Sequence, residues 1–456
     1  MLKILQRLYP IILKAHKTKK IFFICLWIIS IHAGLFYMSY YPKPRILMGD
    51  EMTHLRDAHR SIAKVIWHEF HLTSPFYTKF LSLILLLSPN TLVIIQIIQT
   101  LILFCVAFLV YHLGYLIFKK KEVGLMAAVL LISYPPIIAF AHFFWSDILH
   151  LFFFLLSFYL LIRFNNHILF LSISGFSLGL ALIIKSGFLL PFIPVFIFYL
   201  VVKNRGKNKF FLLLTYIVSL SMAMLSAKSS FSMKNSHLMG TNNFYFNLWV
   251  GLNDLKDREQ SGEIAGLELN NYNESSEKTD AKDAILKMKI KDFLKQRSII
   301  AILKNQLGKQ YFRLLSKNTF FTDALPGGFF AKQGMGYYEP SPIIYIPYKI
   351  LSYLLYLFVL FSSVFAFIYF KNNSLESKII ILFLFYNLII FLFLHVKTRY
   401  RIQFLPFLFL YSAYFISSVY EKIANKAFLD FFVSRAQKCR GAVALVISLF
   451  ALYLAI

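Results

Sequence analysis

The stretch MGDEMTHLRD, residues 48–57, follows the first long apolar run of the chain and places three carboxylates, a histidine and an arginine beside it. The chain has only 21 acidic residues among 456, so the adjacent pair Asp50 and Glu51 is conspicuous. Charges at a membrane surface or within it are costly and mark functional sites. We therefore expect chemistry in this stretch, with Asp57 as a surface charge.

Composition predicts a membrane protein. Hydrophobic residues make up 58% of the chain, which contains 51 Phe and 27 Tyr, more than soluble domains carry. Apolar stretches of about 17 to 25 residues recur, the length that a helix needs to cross hydrocarbon. Lipid offers no partner to backbone groups, so these stretches should be helical. The predicted fold is an all-α polytopic membrane protein with about eleven crossings.

The formal charge of +27 does not indicate nucleic-acid binding. Many Lys and Arg residues lie in short connections between apolar runs, where they orient a membrane protein with its basic loops in the cytoplasm. The three cysteines, Cys25, Cys105 and Cys439, are far apart, so no disulfide framework or metal motif is indicated. The expected partners are the bilayer and membrane-associated substrates.

This charge pattern divides the chain into three regions. Residues 1–227 form an N-terminal transmembrane module with a cytoplasmic start and a first outer loop over 41–90. Residues 228–341 form an extracytoplasmic loop domain, and residues 342–456 a C-terminal transmembrane module. The first outer loop should hold a surface helix over 54–71, because its apolar residues are interleaved with Arg56, Arg60 and Lys64. A re-entrant or interfacial helix is expected over 76–88, which is too short to cross. A helix pair is expected over 282–317.

The predicted topology brings distant charges to one membrane face. Transfer from a phosphate-linked donor needs a base for the acceptor hydroxyl and cations for the leaving phosphate. The residues expected to converge are Asp50, Glu51, Asp147, Lys185, His395 and Arg399.

All of these residues except His395 lie in short motifs that follow one another along nearly the whole chain. The motifs are Gly49-Asp50-Glu51, Tyr134-Pro135-Pro136 followed by Ser146-Asp147, Ile183-Ile184-Lys185-Ser186-Gly187, and Arg399-Tyr400-Arg401 with Leu405-Pro406. In this order they resemble the GT-C fold glycosyltransferases of the protein O-mannosyltransferase and aminoarabinose-transferase type.

The resemblance implies a GT-C-like bundle that transfers a sugar from a polyprenyl-phosphate donor to a lipid, glycan or protein acceptor on the extracytoplasmic side. It implies that Asp50 is the general base, with Glu51 beside it, and that Asp147 is a second acid. It assigns the donor phosphate to outer cations: Lys185 and Arg399, with Arg56 and Arg401 behind them. The chain lacks a large soluble sugar-binding insertion, so a bacterial inner-membrane enzyme is the expectation.

Other interpretations of these residues remain open. Asp50 and Glu51 could cap a helix beginning near Met52, and Asp147 could be an acid at a helix N-terminus. Lys185 could extend its ammonium to the membrane interface, and Arg399 and Arg401 could anchor to lipid headgroups. We expect four residues at the acceptor or cleft: His54, His395, Tyr337 and Tyr338. No cofactor is expected; a divalent cation held by the dispersed His54, His142 and His395 is the alternative.

The predicted reaction is a direct displacement at the anomeric carbon, with Asp50 as base and inversion at the sugar. The alternative function is a secondary transporter or flippase of a lipid-linked or small anionic substrate. Transporters of that kind have paired broken helices and internal repeats, which the sequence does not display. A glycan polymerase or ligase of another fold would rely on arginines in the long outer loop.

Overall fold

Every regular element that the structure describes is helical. The structure is a computed structural model that describes residues 17–63, 74–87, 92–185, 189, 192–204, 208–230, 244–253, 279–370, 372, 374–424 and 435–456. Within these ranges, extended backbone pairs at one isolated bridge, between Ile46 and Gly336. The prediction of an all-α protein is confirmed for this part of the chain.

The helices are numbered α1 to α19 along the described residues. The first ten are α1 Lys17–Tyr40, α2 Asp50–Ile62, α3 Pro75–Leu87, α4 Val93–Phe118, α5 Lys121–Ile132, α6 Pro135–His142, α7 Asp147–Arg163, α8 Ile168–Ile184, α9 Phe192–Lys203 and α10 Lys209–Ser230. The remaining nine are α11 Phe244–Asn253, α12 Thr279–Gln296, α13 Ile299–Leu315, α14 Phe320–Asp323, α15 Phe329–Lys332, α16 Pro342–Tyr369, α17 Leu375–Phe393, α18 Leu405–Ala424 and α19 Arg435–Ala455. A 3₁₀ helix, Thr398–Gln403, lies between α17 and α18.

Several of these helices are suited to a membrane. Five are long and apolar enough to cross it, and six if the bent pair α5 and α6 counts as one span. Four shorter apolar helices of 10–17 residues accompany them in the described ranges. The chain is therefore a helical protein compatible with several passes through a membrane.

Two prolines mark the break between α5 and α6. Helix α5 ends at Ile132, and α6 starts at Pro135 with its axis turned by 60°. Proline lacks the N–H of a continuing helix and pushes the preceding residue toward extended backbone, and Tyr134 has φ −88° and ψ 106°. The bend aims the buried helix α6 at the turn that precedes Asp147.

Helices α7 and α8 form an antiparallel hairpin that fixes one end of the site. Because α7 begins at Asp147 and α8 ends at Ile184, the first residue of α7 and Lys185 lie at the same end. The hydroxyl of Ser174 donates to the carbonyl of Ser157 at 2.8 Å and links the two helices nearer their other end.

The surface helix predicted over 54–71 and the helix pair predicted over 282–317 can be compared with the structure. The surface helix begins at Asp50 rather than His54, and residues 64–71 of the prediction lie outside the described residues. Gly49 precedes it with φ 42°, a conformation that favours glycine, and no side chain caps the helix. The interpretation of Asp50 as a helix cap is thus wrong. The helix pair expected over 282–317 is confirmed by α12 and α13.

The segment around α14 and α15 joins the chain that follows α1. The N–H of Ile46 donates to the carbonyl of Gly336 at 2.8 Å, and the N–H of Gly336 donates back at 3.1 Å. Gly336 has φ 96°, and a Cβ there would lie 2.7 Å from the carbonyl oxygen of Ala324, so the turn requires glycine. This contact places residues 337–338 beside the segment that leads from α1 to α2, with Tyr337 near Arg45 and Tyr338 near Lys43.

Candidate functional site

Four separate segments bring opposite charges together at one end of the bundle. We call this group the charge cluster; its members are Asp50, Asp147, Lys185, Lys397 and Arg399. They come from the start of α2, the start of α7, the end of α8 and the turn after α17. The structure thus brings together four of the six residues that were predicted to converge, Asp50, Asp147, Lys185 and Arg399. Lys397 is a member that sequence reasoning missed.

Asp50 pairs with Arg399 at the exposed side of the cluster. Arg399 Nη1 lies 2.5 Å from Asp50 Oδ2, and the side chains are 14% and 47% exposed respectively. The arginine beside it holds the pKa of the Asp50 carboxyl well below its usual range. Asp50 is therefore ionised near neutral pH and open to a ligand on one side.

Aromatic rings surround the guanidinium of Arg399. Its central carbon lies 5.3 Å from the ring centroid of Trp145, 5.8 Å from Phe320 and 5.7 Å from Tyr400. Cations are attracted to ring faces at such distances, most strongly where water is excluded. The rings limit where Arg399 can move and direct its charge toward Asp50.

The second ion pair of the cluster joins α7 and α8. Lys185 Nζ donates to Asp147 Oδ1, and the side chains are 18% and 2% exposed. Asp147 is also the first residue of α7, where the helix dipole favours a carboxylate. The interpretation of Asp147 as an acid at a helix N-terminus is therefore confirmed, while its role as a second acid of the reaction stays a prediction. Lys185 is held by an acid rather than extended alone to an interface.

Lys397 is the third cation of the cluster and has no ion pair within the described part of the chain. Burial lowers the pKa of Lys397, and Arg399 lowers it further. An ammonium in that position would gain from an anionic ligand. Sequence reasoning had singled out His395 and Arg399 in the same turn; the cationic residue between them was the available signal.

Glu51 has different surroundings from its neighbour Asp50. It is fully buried and forms a two-pronged ion pair with Arg45, whose Nη1 and Nη2 lie 2.7 and 2.5 Å from its oxygens. The backbone N–H groups of Met48 and Phe144 also donate to it, at 2.8 and 2.9 Å. Because four donors occupy its oxygens, Glu51 anchors the turn before Asp147 to the start of α2.

Two glutamines of α4 complete the support of that turn. Gln96 Nε2 donates to the carbonyl of His142 at 3.1 Å. Gln99 Nε2 donates to the carbonyls of Ala141 and Phe143 at 3.0 and 2.9 Å. Buried carbonyls are costly without partners, so these bonds fix the turn from which α7 starts. Neither glutamine, nor Arg45, was expected from sequence, since each acts through backbone geometry.

His54 lies one helical turn beyond Asp50. It is 7% exposed, and its ring meets the edge of Tyr77 at 5.0 Å between centroids. Burial lowers the pKa of His54 to about 4, so the imidazole is neutral at neutral pH. It therefore lines the cluster as an uncharged polar group.

The other predicted residues lie around the cluster in distinct environments. Arg56 is exposed, with its Nε 3.6 Å from Asp57 Oδ1 and a side-chain exposure of 60%. Asp57 is buried, so its expected role as a surface charge is wrong. Arg401 is buried, donates to the carbonyls of Ser316 and Asn318, and stacks on a tyrosine ring. Its described contacts hold the chain together and leave donor-phosphate binding as a prediction.

The residues expected at a cleft are placed as follows. His395 is buried beside the cluster, its ring nitrogens have no hydrogen-bond partner among the described residues, and burial lowers its pKa well below the ordinary value. Tyr337 is buried next to Arg45, while Tyr338 is half-buried with Lys43 Nζ 4.9 Å from its ring centroid. In the described ranges, no group of three or more His, Cys, Asp or Glu is positioned to hold a metal.

Comparison of the chain with protein-family models and with curated proteins gives no match. The site must therefore be interpreted from its own chemistry. Three cations face two carboxylates, which leaves the cluster with one surplus positive charge when all five are ionised. A half-exposed carboxylate beside such a surplus can accept a proton while an anionic group binds next to it.

Proposed function

We propose that this protein is a membrane glycosyltransferase that transfers a sugar from a polyprenyl-phosphate donor to a lipid, glycan or protein acceptor on the extracytoplasmic side. The observation that supports it is the pairing of half-exposed Asp50 with Arg399, next to the Asp147–Lys185 pair. The proposal includes a GT-C-like bundle of about eleven transmembrane helices with its N-terminus in the cytoplasm, in a bacterial inner membrane. Residues 228–341 form its extracytoplasmic domain.

The proposed reaction is a single displacement. Asp50 accepts the proton of the acceptor hydroxyl, and the acceptor oxygen forms a bond to the anomeric carbon. The bond from that carbon to the phosphate oxygen breaks, and the phosphate leaves with the electron pair. Lys185, Lys397 and Arg399 balance the leaving charge, and the sugar is inverted.

Donor binding also activates the base in this proposal. A carboxyl whose pKa lies far below its ordinary value is a weak base, and Arg399 causes that depression in Asp50. The donor phosphate competes for the same guanidinium. When Arg399 turns toward the phosphate, the Asp50 carboxylate loses stabilisation and its pKa rises. The base therefore becomes effective when the donor is in place.

In this proposal Asp147 and Glu51 support the reaction by holding other groups in place. Asp147 holds the Lys185 ammonium at the cluster, and Glu51 anchors the turn from which α7 starts. Residues on rigid, buried elements hold reacting groups within the narrow tolerance that displacement needs. In this proposal Asp50 is the acid that meets substrate.

A transporter or flippase of an anionic or lipid-linked substrate is the second candidate. The observation that favours it is the 60° bend between α5 and α6, because broken helices line transporter sites. Proteoliposomes distinguish the two candidates. A glycosyltransferase forms a new glycosidic product from labelled donor and acceptor, whereas a transporter moves the label across the bilayer unchanged.

The decisive experiment compares two carboxylate-to-amide variants in a reconstituted sugar-transfer assay with polyprenyl-phosphate sugars. Asp50→Asn should lose transfer by a factor on the order of 100 to 10,000, the range expected for a lost general base. The matched control is Glu421→Gln, which breaks a comparably exposed ion pair with Lys120 at 2.6 Å, far from Asp50 in the fold. Full transfer by Asp50→Asn in correctly inserted protein rules out Asp50 as the base.

A further inference from the structure

His150 lies one helical turn below Asp147 and makes an unusual contact with the end of α8. It is 1% exposed, and its Nδ1 lies 3.0 Å from the carbonyl oxygen of Ala181. A carbonyl oxygen only accepts, so Nδ1 carries the proton and donates. Its Nε2 has no hydrogen-bond partner among the described residues. The bond to Ala181 is thus the one described hydrogen bond of the His150 side chain.

The same carbonyl has a second donor, the backbone N–H of Lys185 at 3.0 Å. That bond closes the last turn of α8, after which Lys185 leaves the helix with φ −148° and ψ 85°. The carbonyls of a final turn lack further helical partners, and the groups that bind them decide where a helix stops. His150 therefore helps to fix the point at which Lys185 departs toward Asp147.

We propose that His150 is a positioning residue for Lys185: its Nδ1–H holds the Ala181 carbonyl and thereby sets the direction of the ammonium that pairs with Asp147. The consequence for catalysis rests on the proposed function, in which Lys185 receives the donor phosphate. His150 is not assigned contact with substrate. It lies one helical turn from Asp147, where a small displacement of the imidazole alters the placement of Lys185 relative to Asp147.

The hairpin offers a matched comparison for this role. Ser174 also links α7 and α8 through a buried hydrogen bond, to Ser157 at 2.8 Å. Ser174 lies roughly 16 Å along α8 from Lys185, at a rise of about 1.5 Å per residue. Loss of the serine bond should loosen the hairpin without turning Lys185.

The test measures kcat and donor KM in the reconstituted transfer assay for three variants. His150→Leu should raise donor KM by about 10- to 100-fold, because a displaced group of this kind costs up to two orders of magnitude. His150→Asn should recover most of that loss, since its Nδ2 occupies the position of Nδ1. Ser174→Ala should lower the melting temperature with an unchanged KM. A His150→Leu variant that only melts earlier, or a His150→Asn variant as impaired as His150→Leu, overturns the proposal.

A second measurement keeps this inference separate from the proposed function. If the wild-type protein transfers no sugar, the proposed function fails and the melting temperatures decide the role of His150. His150→Leu and Lys185→Met are then compared singly and together. Their effects should be less than additive if His150 acts through Lys185, whereas Ser174→Ala and Lys185→Met should add. Additive effects of His150→Leu and Lys185→Met overturn the positioning role.

Discussion

Asp50 and Glu51 are adjacent in the sequence, yet they lie in opposite surroundings. The Asp50 side chain is 47% exposed and has one cation at 2.5 Å, whereas Glu51 is fully buried with four donors on its oxygens. A carboxylate with every oxygen occupied cannot accept a proton from a substrate without breaking its own contacts. The comparison separates an acid that holds the fold from one available for chemistry.

The largest effect should come from Glu51→Gln. An amide cannot accept from all four donors, and it leaves Arg45 buried beside a neutral group. Removing one partner of a buried ion pair typically costs about 3–5 kcal/mol, so this variant should melt far earlier than the wild type. Thermal unfolding in detergent measures the loss.

Asp50→Asn is the control for this result. It should change the melting temperature little and should greatly reduce sugar transfer. The opposite outcome, a Glu51→Gln variant that is fully stable but inactive, would reverse the roles assigned to the two acids. A variant that loses both properties in proportion would indicate that transfer falls only because folded protein is lost.

The pH dependence of sugar transfer tests the role of Asp50 as the general base. Asp50 acts as base only when ionised, so activity falls as pH drops through its pKa. In the free protein Arg399 lowers that pKa, so the acid limb of kcat/KM should lie below about 3.9, the ordinary value for Asp. With donor bound the pKa rises, and the acid limb of kcat should lie at higher pH.

Two variants check this assignment. In Arg399→Met the limb of kcat/KM should move to higher pH, because the main cause of the lowered Asp50 pKa is gone. Lys397 and His54 also lie near Asp50, and burial lowers the pKa of His54 to about 4, within the same range. The profile of His54→Asn should therefore keep the Asp50 limb. A kcat limb that lies at or below that of kcat/KM contradicts activation by the donor.

Lys397→Met should have an intermediate effect. It removes the surplus positive charge and leaves both ion pairs of the cluster, Asp50–Arg399 and Asp147–Lys185, in place. A charge-assisted contact to an anion is worth about 1.5–3 kcal/mol, so donor KM should rise roughly tenfold or more with folding unaffected. Titration with a polyprenyl phosphate lacking sugar measures the same loss in binding. An unchanged affinity places the donor phosphate away from Lys397.

Sequence reasoning found what depends on residue type and topology. Apolar runs and basic connections predicted the helices, and their alternation placed Asp50, Asp147, Lys185 and Arg399 at one end. It did not find Arg45, because that residue's role depends on backbone groups more than ninety positions away, such as the His142 carbonyl that it binds. Contacts of this kind have no local pattern.

Burial was equally hard to predict within one helix. Asp57 lies seven residues beyond Asp50, two helical turns along α2, yet it is buried where a surface charge was expected. Helical periodicity predicts which residues share a face. It does not predict whether that face meets water or a neighbouring segment, which here depends on α3 packing against α2.

Arg56→Ala should have the smallest effect and tests how far the cluster extends. Arg56 precedes Asp57, has a side chain that is 60% exposed, and is 3.6 Å from the Asp57 carboxylate. Exposed ion pairs contribute about 0–1 kcal/mol, so donor KM should change by a factor of about five or less. Lys397→Met in the same assay provides the contrast. A tenfold rise for Arg56→Ala would mean that the donor phosphate extends along the exposed face of α2, and the site would then be wider than the five residues of the charge cluster.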